Sequence, residues 1–109
     1  MKQVALALAL ATALAGCGGP WLPVATAADA TRAQERWPGT TADELNHGRT
    51  LLLRRCSSCH QTPSPSERAA ADWPAQIDEM AERSGLATGE GPQISRYLQA
   101  VARDQVPPR

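Results

Sequence analysis

Side chains suited to redox or metal chemistry are scarce in this chain. Among 109 residues there are three cysteines and two histidines. Two of the cysteines and one histidine nevertheless fall within five consecutive residues, Cys56-Ser57-Ser58-Cys59-His60. Because the sequence is otherwise poor in these residue types, a chance cluster is a weak explanation and the stretch is the main candidate site.

Basic residues form no run anywhere in the sequence. The only lysine is Lys2, so a chain that lost its first residues would carry ten arginines against eleven acidic residues. Nucleic-acid binding normally requires a concentrated basic patch. The charge pattern therefore predicts no nucleic-acid partner.

No apolar run is long enough to cross a bilayer as a helix, which takes about 20 residues. The longest run follows Met1-Lys2 and extends from Val4 to Leu14, and small residues come after it. One positive charge, a short apolar stretch and small residues are the layout of an export signal. We predict that residues 1–16 are a signal peptide that is removed.

The end of this signal is Leu14-Ala15-Gly16-Cys17, which looks like a bacterial lipoprotein box. Lipidation of Cys17 would make it the first mature residue and hold the protein on a membrane, and Gly18 after it favours the outer membrane. The alternative is ordinary cleavage after Ala15. That cut would leave an unpaired thiol in an oxidising compartment.

The following segment, within residues 17–40, is rich in Ala, Pro, Gly and Thr and has no sustained apolar period. It is predicted to be a lipidated N-terminus and flexible linker that lets a domain stand off its anchor. Residues 41–104 are predicted to be the folded domain and residues 105–109 a tail. A unit of this size needs a disulfide, metal or cofactor to complete its core.

The domain is predicted to be all-α, with three helices and no strand. Thr41 and Glu44 have the spacing of a capping box at the start of the first helix, which runs directly into Cys56. Asp72 and Pro74 indicate the start of a second helix, and Gly85 indicates its end. A third helix is predicted to begin between residues 88 and 92 and to carry Ile94, Tyr97, Leu98 and Val101.

Several chemistries compete for the cysteine pair. A thioredoxin-type dithiol opens a helix, whose N-terminus lowers the thiol pKa, whereas this pair closes one. A zinc site would need His47 together with Cys56, Cys59 and His60, at a spacing unlike that of zinc fingers. His47 would lie roughly 13 Å up the helix from the motif, and a plain disulfide also remains open.

Covalent haem is the remaining chemistry, and it explains the spacing. Thiols three positions apart can add to the two vinyl groups at one edge of a porphyrin, and His60 then falls under the iron as its proximal ligand. Cys56, Cys59 and His60 are therefore predicted to bind one haem c.

From Gly48 to about Leu98 the chain resembles a small single-haem cytochrome c domain. The resemblance rests on CxxCH at a helix end, Gly48 eight residues before Cys56, Tyr97-Leu98 on the last helix, and Trp73-x-x-x-Ile77-x-x-Met80. This last pattern is similar to the distal side of short cytochromes and of domains of dihaem cytochromes. The resemblance implies that the first and last helices cross closely at Gly48.

The family also implies a methionine on the opposite face of the haem. Met80 is the only methionine once Met1 is lost, so it is predicted to be the second iron ligand, with core packing as the alternative. In the family a proline carbonyl commonly accepts the proton of the proximal histidine, which suggests Pro63 or Pro65.

Haem would then become a large part of the core. Its predicted neighbours share an apolar character and lie on all three helices and one loop: Leu52, Trp73, Ile77, Leu86 and Leu98. The apoprotein is expected to fold poorly.

The resemblance implies electron transfer by a tethered cytochrome on the periplasmic side of a bacterial membrane, not an enzyme activity. Its redox partners would be met in transient contacts. One alternative is a ligand-binding or peroxidase-like haem, which requires Met80 to leave the iron and has only Arg83 nearby. Another is a haem subunit of a larger membrane oxidoreductase.

Overall fold

A computed structural model of the chain describes residues 22–56 and 62–102. These residues form α1 (Ala27–Ala33), α2 (Ala42–Cys56), α3 (Trp73–Ser84) and α4 (Glu90–Ala102). Two 3-10 turns precede α3, and the described residues contain no strand. The all-α prediction is confirmed for this part of the chain, but the prediction of three helices is wrong because α1 was missed.

The start of α2 follows from its first residues. The hydroxyl of Thr41 accepts a hydrogen bond from the Glu44 backbone N–H at 3.1 Å, and the Glu44 carboxylate accepts one from the Thr41 N–H at 3.2 Å. This reciprocal pair satisfies two donors that the helix itself cannot. The predicted capping box is therefore confirmed.

The bounds of α3 also match local signals. Pro74 lies in its first turn, and Gly85 ends it with φ of 63°, a left-handed conformation that glycine adopts without steric cost. Asp72 occupies the predicted N-terminal position but makes no side-chain cap hydrogen bond, and it ends the 3-10 turn Ala70–Asp72. Asp72 is thus the N-cap residue of α3, as predicted, although its side chain does not cap the helix.

The helix α4 lies at the centre of the fold. It packs against α1, α2 and α3, and its contact with α2 is the most extensive between any two elements. Every helix contributes to one hydrophobic core, for example Ala30 from α1, Leu52 from α2, Ile77 from α3 and Leu98 from α4. Tyr97 is also fully buried there.

Where α2 crosses α4, the two backbones approach closely at Gly48. A Cβ atom on Gly48 would lie 2.3 Å from the backbone oxygen of Gln93 and 3.0 Å from the Cβ of Tyr97. Only a residue without a side chain fits this contact. The expected close approach at Gly48 is confirmed.

Residues 22–40 are not a linker in the structure. Thr26 and Asp29 form a capping box at the start of α1. Leu22, Ala25, Ala30 and Ala33 belong to the hydrophobic core. The flexible-linker prediction is wrong for these residues, because apolar burial and hydrogen bonds to α2 and α4 offset the cost of ordering the chain.

Other predicted segments lie outside the described residues. These are the signal peptide 1–16, the lipidation site Cys17 and the tail 105–109. Within residues 22–56 and 62–102, no helix combines the length and apolar character that crossing a membrane requires.

Candidate functional site

Cys56 is the last residue of α2, and it lies half-buried against the hydrophobic core. Its position at the C-terminal end of a helix agrees with the predicted placement of the motif and disagrees with a dithiol centre that opens a helix. The other two motif side chains, Cys59 and His60, lie outside the described residues.

The predicted apolar neighbours of the haem lie in one cluster. Leu52 and Leu98 have no exposed surface, and Trp73 and Ile77 are also buried. Cys56 and Leu86 are half-buried and pack against the same core. The structure thus brings together predicted site residues that lie far apart in the sequence.

Met80 is half-buried and lies on α3, one turn beyond Ile77. It is not among the side chains that form or cover the described part of the core. The alternative that Met80 only fills a core gap therefore gains no support from the described contacts. Arg83, one turn later on the same helix, is exposed.

The indole N–H of Trp73 donates a buried hydrogen bond of 3.2 Å to the backbone oxygen of Pro65. This bond ties the first residue of α3 to the 3-10 turn Pro65–Glu67. It satisfies the one polar group of Trp73, so the rest of the ring presents only apolar surface. The same bond occupies the Pro65 carbonyl, which was one of two proline carbonyls predicted to accept a hydrogen bond from His60. The other proline, Pro63, is half-buried.

An ion pair missed by the sequence reasoning fixes the end of α2 against the start of α4. The Arg55 guanidinium contacts the Glu90 carboxylate through two hydrogen bonds, of 3.0 and 3.2 Å. The Arg55 hydrogen bonds are the largest cause that lowers the pKa of Glu90, which also accepts from the Ala87 N–H. Because 35 residues separate the partners, no local pattern indicates this pair.

His47 lies away from the motif. It is exposed on α2 and lines an open groove of about 410 Å³ with Asp43, Glu44 and Arg96, among others. Within the part of the chain that the structure describes, no group of three or more His, Cys, Asp or Glu side chains could hold a metal ion. His47 therefore gains no support as a zinc or iron ligand.

The donor set of the site suits a large apolar macrocycle. The described residues supply a thiol at the end of α2, a thioether on α3, and a core of buried aliphatic and aromatic side chains against which Cys56 packs. Sulfur ligands and an apolar surround are the features by which proteins hold haem and tune its iron. The residues present therefore fit the group that the CxxCH sequence implies.

Comparisons of the chain with protein-family models, with curated proteins and with solved structures find no match.

Proposed function

We propose that this chain is a lipid-anchored c-type cytochrome with one haem, which transfers single electrons on the periplasmic side of a bacterial membrane. One observation carries the proposal. The CxxCH sequence begins at the end of α2, where Cys56 packs against the apolar cluster containing Leu52, Trp73, Ile77 and Leu98.

Cys56 and Cys59 would hold the porphyrin through thioether bonds, and His60 and Met80 would ligate its iron. When bound, the haem supplies an iron couple that gains and loses one electron. A methionine and a histidine ligand together favour the ferrous state compared with two histidines, so Met80 would raise the reduction potential. Ligation by both His60 and Met80 would leave no position on the iron for a substrate, and we propose no enzyme activity.

Other side chains hold the elements of the site in place. The Arg55–Glu90 pair fixes the end of α2 beside the start of α4, and the Trp73–Pro65 hydrogen bond fixes the start of α3. A site on rigid, preorganised elements needs little rearrangement when its charge changes. Fast exchange of one electron depends on such rigidity.

Pro63 is the better candidate to accept the second ring proton of His60. The Pro65 carbonyl already accepts the Trp73 indole N–H. A hydrogen bond from the ring N–H of His60 to the Pro63 carbonyl would hold the imidazole in one orientation and increase its basicity.

The fold also supports a cytochrome c-like domain. In that family the first and last helices cross closely, and here α2 crosses α4 at Gly48 with Tyr97 on the opposite side of the contact. Signal peptide 1–16 and Cys17 complete the proposal. They place the domain on a membrane, with the outer membrane favoured, where redox proteins meet it through brief contacts.

Haem attachment is tested by expressing the full chain in a bacterial host with active c-type haem maturation. We expect the mature mass to exceed that of the polypeptide by one haem, and the colour to stay on the polypeptide after heating in acid detergent. The double variant Cys56→Ser/Cys59→Ser should lose both properties. The matched control Cys17→Ser should lose the lipid and keep the haem, and haem-free wild-type protein would refute the function.

The role of Met80 is tested with two variants of the purified holoprotein. Met80→Leu keeps an apolar side chain of similar volume and should convert the ferric iron from low spin to high spin. Met80→His restores a ligand, so the iron should return to low spin with a lower reduction potential than wild type. A low-spin wild-type spectrum that survives unchanged in Met80→Leu would exclude Met80 as a ligand.

A further inference from the structure

The segment before α1 is held to α2 by side chains. Asn46 acts on both backbone groups of Ala25: its Oδ1 accepts from the N–H at 2.8 Å and its Nδ2 donates to the carbonyl at 3.0 Å. Arg49, one turn further along α2, donates from Nε to the Leu22 carbonyl at 3.0 Å. The segment is thus hydrogen-bonded to α2 along its length.

The helix α4 holds the same segment from another side. The Tyr97 hydroxyl donates to the Pro23 carbonyl at 2.7 Å. Leu22 and Ala25 are buried in the core, with 5% and 4% of their surface exposed. Hydrogen bonds from three side chains, and the burial of two apolar residues of the segment, therefore make it part of the domain.

Docking of residues 22–26 shortens the path to the membrane. Only five residues lead from Cys17 to Leu22. Covalent geometry limits their span to about 18 Å in any conformation. If residues 17–40 were all linker, the span from Cys17 to Thr41 could reach about 85 Å.

The same contacts set how far the haem motif can lie from the anchor. Cys56 is seven residues beyond Arg49 on α2, which is about 10 Å along the helix axis. One helix diameter adds about 10 Å across the axis. Cys56 therefore stays within about 40 Å of the Cys17 α-carbon.

We infer that the domain is a relay fixed close to its own membrane, and that its partners are redox proteins embedded in or anchored to that same membrane. The inference rests on the proposed function, since it requires lipid at Cys17 and haem at Cys56. The domain takes one electron from a donor and passes it to an acceptor, so it returns to the oxidation state in which it began. Both transfers occur within the thin layer above the membrane that the short tether lets the domain reach.

A short tether favours partners in the same membrane through local concentration. Confining two proteins to one thin layer raises the concentration of each as seen by the other, and this gain falls as the layer thickens with the end-to-end distance of the tether. A long tether would spread the domain over a larger volume and remove most of the gain. The docked segment thus determines which partners the domain meets often.

The test uses the full lipidated holoprotein in phosphatidylcholine vesicles that contain a phospholipid with ferrocenium on its headgroup. One electron passes from the reduced protein to a ferrocenium, which becomes ferrocene. Inserting a Gly/Ser spacer of about 30 residues between Gly18 and Gly19 raises the contour length of the tether about sevenfold. We expect oxidation by the lipid probe to slow roughly twofold to threefold, because the thickness of the layer that the domain explores grows as the square root of the number of tether residues.

Two controls distinguish an effect of tether length from damage to the domain. Oxidation by a soluble ferrocenium should be unchanged by the spacer, because the domain itself is unchanged. The same spacer placed between Val106 and Pro107 should leave both rates at the wild-type value. An equally fast reaction of the Gly18 spacer variant with the lipid probe would overturn the inference.

A measurement that does not need haem distinguishes failure of the short-tether inference from failure of the proposed function. Neutron reflectometry on a supported bilayer gives the height of the protein layer. The Gly18 spacer should move the layer outward by on the order of 20 Å, and the tail spacer should not. A wild-type layer as high as that of the spacer variant would reject the short tether, whereas a chain without haem would reject only electron transfer.

Discussion

At the scale of single residues, Tyr97 joins the two ends of the described chain. It is the only tyrosine in the sequence, and its hydroxyl donates to the carbonyl of Pro23, 74 residues away. Burial raises the pKa of Tyr97 to about 12, from an ordinary value of 10.0. Sequence reasoning placed Tyr97 on the last helix but gave no hint of its partner, because a contact over such a distance has no local signature.

The raised pKa of Tyr97 predicts a loss of stability at high pH. Between pH 10 and about pH 12 the unfolded chain releases the phenolic proton while the folded chain keeps it. The free energy of unfolding therefore falls as pH rises through this range, by on the order of 2–3 kcal/mol. Chemical denaturation of wild type at a series of pH values measures this fall.

Tyr97→Phe is the matched variant for this prediction. It should be less stable than wild type at neutral pH by about 1 kcal/mol, because the Pro23 carbonyl loses its donor. It should also lack the tyrosine contribution above pH 10, while every other titrating group is retained. The same slope in both proteins above pH 10 would show that Tyr97 ionises alike in the folded and unfolded chains.

At the scale of secondary-structure elements, the crossing of α2 and α4 organises the domain. Gly48 allows the backbones to touch, and the Arg55–Glu90 pair joins the helices again near Cys56. Two contacts along α2 fix its direction relative to α4, which determines where Cys56 is presented. The first contact was predictable from a glycine at a known distance from the motif, and the second was not.

Gly48→Ala is expected to destabilise the fold by about 1–3 kcal/mol or more. Its new Cβ would lie 2.3 Å from the Gln93 oxygen, a backbone atom that cannot move without shifting α4. Gly91→Ala is the matched control, because Gly91 is also helical and its Cβ would meet only side-chain atoms at 3.8 Å or more.

The control should stay within about 1 kcal/mol of wild type, since alanine favours a helix over glycine. Thermal or urea unfolding of both variants measures the difference. Equal stability of Gly48→Ala and Gly91→Ala would mean that the helices do not approach as closely as the structure shows.

The end of α3 and the start of α2 show how far local patterns reach. The Thr41 capping box and the left-handed Gly85 are decided by neighbouring residues, and both were predicted correctly. The helix α1 was missed although Thr26 and Asp29 carry a capping pattern of the same kind. A seven-residue helix is marginal by itself, so its existence depends on packing against α4 that no local pattern reports.

At the scale of the whole molecule, the N-terminal segment is part of the folded domain. Trp37 packs against the core, and the Arg36 guanidinium lies 4.9 Å from the centre of the Trp37 ring. The same guanidinium donates a hydrogen bond of 2.8 Å to the side-chain oxygen of Gln99 on α4. Residues 22–40 thus contact the helix that all the others share. The folded domain therefore includes residues 22–40 and does not begin at Thr41, where the sequence reasoning placed its start.

Truncation tests this boundary. Two lipid-free versions, each exported by a conventional signal peptide, would begin at Leu22 and at Thr41. The shorter version loses four buried apolar residues and leaves Asn46 and Tyr97 without their partners, so it should be less stable by at least about 3 kcal/mol. The expected fall in Tm exceeds about 10 °C, or the shorter version does not fold.

The version that begins at Leu22 should match the stability of the mature domain. If the Tm values of the two versions agree within a few degrees, residues 22–40 contribute nothing to the fold. The linker prediction from composition would then be correct after all.

The sequence alone determined the helical class, the ends of the helices that carry strong caps, and the residue types proposed to hold haem. Each of these depends on neighbouring residues: a capping box, a left-handed glycine, or thiols at a fixed spacing before a histidine. Tertiary structure decided that residues 22–26 dock on α2 and α4 and that Arg55 pairs with Glu90. These contacts join residues 21 to 74 positions apart, and only packing of the whole chain brings such residues together.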